Sequence, residues 1–139
     1  MDTTRNLADL TGRVLISAMF LISGLGKISG YAGTQAYMES AGVPGALLPI
    51  VIALEVLGAV AVIVGYRTRL AAAALAGFTI LAGVLFHGSS DPMQRIMLLK
   101  NLAVAGGFLF LVARGAGAWS LDARRERLQS PVDPVAVRS

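Results

Sequence analysis

The chain has 139 residues, 55% of them hydrophobic and only 14% charged, with a formal net charge of +4. An ordinary soluble domain carries roughly a quarter charged residues, so this stock does not clothe a water-facing surface; the length allows about four membrane-spanning helices and little for a separate catalytic domain. The lack of cysteine excludes thiol nucleophiles, thiolate metal sites and iron–sulfur clusters, and the single histidine, His87, cannot alone give a haem two axial ligands.

In chain order, apolar stretches cover residues 10–28, 46–65, 70–86 and 96–113. They are continuously apolar rather than alternating, so helices, which satisfy their own backbone hydrogen bonds in lipid, are expected in preference to barrel strands. The expected fold class is an all-α membrane protein, a bundle of four transmembrane helices. Arg5 and Arg13 precede the first stretch as they would a signal peptide, but no A-x-A cleavage site follows, so it is read as an uncleaved span. Residues 29–45 contain Tyr31 and Tyr37 and close with Gly42-Val43-Pro44-Gly45. A short interfacial helix over 34–40 is expected there, with the tyrosines at headgroup level, capping one end of the bundle.

Ala73 and Gly77 in the third span, and Ala103 and Gly107 in the fourth, have the small-x-x-x-small spacing that lets helix backbones approach. From Ser120 onward the sequence turns polar, with Pro131, Pro134 and charges of both signs, and reads as a solvated tail. A membrane domain over residues 1–122 and a tail over 123–139 follow.

Arg5, Arg13, Arg67, Arg69, Arg114, Arg124, Arg125, Arg127 and Arg138 flank the spans on one side, nine basic residues against Lys27 and Arg95 on the other. The positive-inside rule therefore places both termini in the cytoplasm. Arginines in short blocks beside apolar spans report topology rather than a basic face, and nucleic acid is not an expected partner. Arg13, Arg67 and Arg69 are read as anchors of the inner helix ends that meet anionic lipid. A weak repeat at an offset of 45 residues lays Glu55 over Lys100 and Arg69 over Arg114, as if two helical hairpins corresponded.

Chemistry is to be sought at the ionisable groups within spans: Lys27, Glu55, His87 and Lys100. Glu55 falls in the middle of the second span, where an unpaired carboxylate is costly, and Lys100 lies at similar depth in the fourth, so a Glu55–Lys100 pair is expected. Such a pair is either structural glue between two helices or a site for protons or a polar ligand, and Asn101 would extend its network. Lys27, His87 and Arg95 sit at the outer ends of their spans. Two readings stand for them: snorkelling into the headgroups, or a donor-lined cleft in which His87 and a lysine meet the oxygens of a quinone-like ligand. The ligand-binding set is thus Lys27, Glu55, His87, Lys100 and Asn101. No metal-ligand cluster or phosphate loop is present, and Ser17 and Ser23 lack the histidine and acid that a nucleophile needs.

An ordered series of short motifs resembles the DoxX family of small four-helix membrane proteins. It comprises Arg13, Gly24-Leu25-Gly26-Lys27, Ala41-Gly42-Val43-Pro44, Glu55-x-x-Gly58, Gly65-Tyr66-Arg67-Thr68-Arg69, His87, Lys100-Asn101, and Gly115-Ala116-Gly117 with Ser120-Leu121-Asp122. The resemblance implies a bacterial inner-membrane protein whose relatives include membrane subunits of a thiosulfate:quinone oxidoreductase and of other oxidoreductase assemblies. Lacking the thiol pairs of some related redox proteins, this chain is not expected to perform thiosulfate chemistry alone.

The function expected is that of an accessory or quinone-contacting subunit of an oxidoreductase system, with no intrinsic cofactor and with quinone as ligand. Its expected partners are the lipid bilayer, other oxidoreductase subunits and a second copy in a homo-oligomer. Two other classes stay open: a small transporter or proton pathway using Glu55 and Lys100, and a scaffold whose external loop or tail recruits partner proteins.

Overall fold

The structure is a computed structural model and describes residues 2–131. Six α-helices make up its elements: α1 (Thr3–Ser29), α2 (Tyr31–Ser40), α3 (Leu48–Val64, preceded by a 3-10 turn at Gly45–Leu47), α4 (Thr68–Phe86), α5 (Pro92–Arg114) and α6 (Leu121–Gln129). Four of them, α1, α3 with its leading turn, α4 and α5, are long and apolar enough to cross a membrane. The chain is therefore a four-span membrane bundle, as its apolar stretches predict. Asp2 caps α1 by accepting from the Thr4 amide, so this helix starts two turns before the apolar stretch does. Asp91 does the same for α5 through Met93, with Pro92 pre-set for the first helical position.

The spans pair as α1 with α3 and α4 with α5, and the α3–α4 contact joins the two pairs. Phe20 and Phe108, edge to face at 5.4 Å, centre a core completed by Val62, Leu75 and small residues such as Ala59 and Ala72. Close approach is set by Gly24, where a Cβ would lie 2.7 Å from Val56 Cγ2, and by Gly107, where it would lie 2.6 Å from Ile16 Cδ1. The Ala73 and Gly77 pair plays no such part: Ala73 is exposed and a Cβ on Gly77 would meet nothing within 4 Å.

Register explains the rest of the architecture. Arg13 meets the last turn of α3, while Gly24 packs on Glu55 and Val56. The first turns of α1 thus project past the C-terminal end of α3, and its own C-terminal end at Ser29 stops short of the 3-10 turn that leads α3. The chain fills that missing third with α2, which begins at Tyr31 rather than at 34, packs on the 3-10 turn and stacks Tyr37 on Phe86 at 5.2 Å.

The end of the bundle that carries the C-terminus of α3 departs from the sequence reading at two points. Arg13 is not a lipid-facing anchor: it is 1% exposed, and its guanidinium donates to the carbonyls of Val62 (3.2 Å), Ile63 (3.0 Å) and Trp119. An arginine donates to the carbonyls left at a helix C-terminus, and here it takes two of them, with the Trp119 carbonyl from the segment after α5 as a third. Nor is the segment after Ser120 simply solvated. Asp122 accepts from the amides of Arg67 (2.7 Å) and Thr68 (2.9 Å) and from Thr68 Oγ1 (2.8 Å), while its own amide donates to Gly65 O. It caps α4 from far along the chain, and α6 follows from Ser120, whose side chain accepts from Ala123 N. The remainder of the expected tail, 132–139, lies outside the described residues.

Partial burial pushes the Asp122 carboxyl up, but the bonds from Thr68 and Arg67 outweigh it and hold the group below the usual carboxylate range, helped by the charge of Arg125. A depressed folded-state pKa means that docking is stabilised in full above the unfolded value of about 3.9 and is lost as pH falls through the lower folded value. The one tryptophan, Trp119, reports on this contact. Its emission is expected to stay constant from neutral pH to about pH 4 and to shift below it. Asp122→Ala should show the shifted emission already at neutral pH; an unchanged spectrum would mean that the segment docks without its carboxylate.

Candidate functional site

Because α1 ends early, a cavity of about 500 Å³ opens between α1, α3 and α4 beneath α2. Its walls are almost wholly apolar, with Phe20, Leu54, Phe78 and Leu85 among them, and its polar groups are few: Ser23, Lys27, Glu55, Thr79, His87 and Asn101, with Thr34 and Tyr37 from the lid. Sparse polar groups against apolar faces are what small-molecule sites are made of.

At its floor Lys27 Nζ lies 2.9 Å from Glu55 Oε2 and 3.1 Å from Oε1, and it also donates to Ser23 Oγ at 2.7 Å. The carboxylate is 4% exposed and the lysine side chain 24%. All three ammonium hydrogens thus have acceptors, and the pair is self-contained. Glu55 belongs to α3 near mid-membrane, and Lys27 reaches it because α1 is sunk relative to α3. By counting from its helix end, Lys27 should have been at headgroup level; the register places it a third of the way down instead.

The expected Glu55–Lys100 pair is therefore not formed. Lys100 is exposed and does not line the cavity, whereas its neighbour Asn101 does, donating from Nδ2 to Thr79 O at 3.0 Å. One residue along a helix is a rotation of about 100°, so Lys100 has the right depth and the wrong side. Depth is what residue counting supplies; the facing side of α5, which is apolar nearly all round, is chosen by its packing on α4 at Gly83, where a Cβ would lie 3.1 Å from Asn101 Cβ.

His87 closes α4, and its Nδ1 lies 2.6 Å from Gln94 Oε1. An amide oxygen only accepts, so Nδ1 is the donor and Nε2 keeps its lone pair in the neutral ring. Four of the five sequence-nominated residues thus share one cavity. Sequence reasoning missed Ser23 as a partner of Lys27, although the spacing of four residues on one helix face signals it. Tyr37 and Met38 were missed as lining, because only the folded connection brings them over the space. Among the described residues there is no group of three or more His, Asp or Glu side chains able to hold a metal ion.

The DoxX family model matches residues 8–88. The inner membrane protein YqjF of Escherichia coli (strain K12) is 46% identical over 123 residues, covering 88% of this chain and 95% of its own. The inner membrane protein YphA of the same organism is 35% identical over 123 residues, 83% of this chain and 88% of its own. A Bacillus subtilis (strain 168) protein named "Putative oxidoreductase CatD" is 28% identical over 112 residues, 76% of this chain and 82% of its own. No solved structure matches. Four spans and relatives of this kind make it a multi-pass protein of the inner membrane, and the chain belongs to the DoxX family.

Proposed function

We propose that the cavity under α2 binds the ring of a quinone-like molecule drawn from the bilayer, and that the protein serves as a quinone-contacting subunit of an oxidoreductase system. One observation carries this reading: a space of about 500 Å³ has apolar walls and hydrogen-bonding groups at both floor and rim. A quinone is a flat apolar ring with oxygens at opposite ends, and such a ligand needs that distribution. At the floor Asn101 Nδ2 has a second hydrogen beyond the one given to Thr79 O, which a quinone oxygen can accept, and at the rim His87 keeps the Nε2 lone pair, which accepts from the hydroxyl of the reduced, quinol form. The basic end faces the cytoplasm in this reading, so the cavity lies in the outer leaflet. The name of the relative CatD points to the same class of chemistry.

When bound, a quinone supplies electron transfer coupled to proton transfer. The chain's own part is to hold the ring. Phe20, Phe78 and Leu85 exclude water from its faces. Gln94 fixes the tautomer of His87, so that Nε2 is presented to the ligand as a hydrogen-bond acceptor. Lys27 and Glu55 keep the floor polar and electrically balanced.

The test is purification in mild detergent followed by mass spectrometry of extracted quinones. Quinone should co-purify with the native protein. His87→Phe should lower retention of the reduced, quinol form about five-fold, the equivalent of one ordinary hydrogen bond near 1 kcal/mol. Ala82→Trp, which fills the space from α4, should abolish it. No quinone in the native protein, or equal retention in both variants, would return the chain to the scaffold reading.

A further inference from the structure

The second concavity of the bundle lies on the outside of the α3–α4 pair, about 460 Å³ in volume and open to the bilayer. Small residues shape it: Ala61 from α3 with Ala71 and Ala74 from α4, beside Leu57. It extends along α3 from Ile50 to Ala61, about 16 Å at the helical rise per residue, which is close to the depth of one leaflet of hydrocarbon, about 15 Å. Its inner end is closed by Tyr66 and Arg67, both exposed, with the guanidinium carbon 5.8 Å from the ring centroid.

Arg67 is held in an unusual way. It is the one non-glycine residue with positive φ, 43°, among the described residues, and its amide is tied to Asp122 Oδ1 at 2.7 Å. That left-handed conformation is unfavourable for arginine and persists because the docked segment fixes it. The amide bond uses the backbone alone. Among the described residues Lys27–Glu55 is the only ion pair, so the Arg67 guanidinium has no carboxylate partner. Arg125 lies near enough to Asp122 for its charge to be felt there, which offsets the negative charge of the cap at the same end.

We propose that this groove is a seat for one anionic phospholipid, its acyl chain along the small-residue surface of α3 and α4 and its phosphate on Arg67. The groove matches a leaflet in length, it opens sideways into lipid, and its one polar end lies at headgroup depth with a guanidinium that has no carboxylate partner among the described residues. Tyr66 has the amphipathic ring expected at that level. The site is separate from the cavity under α2 and does not depend on what that cavity binds.

The experiment is native mass spectrometry of the full chain released from nanodiscs containing equal amounts of phosphatidylglycerol and phosphatidylcholine. The native protein should retain one phosphatidylglycerol in preference to phosphatidylcholine. Arg67→Gln should reduce that preference about five-fold, the effect of one basic residue near an anionic surface, while Arg67→Lys keeps most of it. Ala74→Phe, at an exposed position within the groove, should reduce retention of both lipids. Melting in phosphatidylcholine alone monitors the fold of each variant. Equal retention of the two lipids by the native protein, a preference unchanged in Arg67→Gln, or a lipid-free dimer that Ala74→Phe disrupts would overturn the proposal, the last by giving the groove to a second copy.

Discussion

Lys27→Met is expected to destabilise the bundle by about 3 to 5 kcal/mol, the range for removing one partner of a buried ion pair. The replacement leaves Glu55, 4% exposed near mid-membrane, facing an apolar side chain. Glu55→Gln should cost less, because the stranded lysine is 24% exposed and its stem can carry the ammonium toward the cavity mouth. The double variant, Lys27→Met with Glu55→Gln, should recover much of the loss, since neither charge then remains. Lys100→Met should change stability by no more than about 0.5 kcal/mol, as for exposed positions generally. Thermal melting in one detergent measures all four. Strict additivity of the two single variants, or a Lys100 effect as large as that of Lys27, would contradict the geometry.

Arg13→Met should be comparably damaging, by about 3 to 5 kcal/mol, because three carbonyls lose a charged donor that is itself only 1% exposed. Its effect should be visible in a second way. Arg13 binds both the end of α3 and the Trp119 carbonyl, so its removal should loosen the Ser120–Asp122 contact, unwind α6 and speed trypsin cleavage at Arg124 and Arg125, which are exposed but held in helix. Arg13→Lys, with one ammonium in place of a forked guanidinium, should lie between the native protein and Arg13→Met. Gly65→Val tests the same node from the other side. Gly65 has φ 74°, and a Cβ there would run into Ser120 and lie 2.7 Å from Arg13 Nη1. Native stability and unchanged trypsin cleavage in Arg13→Met would show that the two ends are not coupled.

By itself the sequence determined the class of solvent, the number of spans and the position of each polar group along its own helix. Continuous apolar runs have only one good solution in lipid, and residue counting along a helix converts directly into distance. It also nominated Glu55, Lys27, His87 and Asn101, because an ionisable or amide group within a span needs a reason to be there. Tertiary structure decided which partner each one meets. Lys27 rather than Lys100 reaches Glu55 because α1 is displaced along α3 and stops at Gly30, a register set by Gly24 against Val56 and by Arg13 at the end of α3. Sliding an apolar helix past another changes no hydropathy pattern, so no periodicity in the sequence records it. The side of α5 that faces inward is likewise fixed by contact at Gly83, and the docking of Asp122 on Thr68 joins residues 54 positions apart. Both depend on how surfaces fit, which is a property of the folded pair and of neither segment alone.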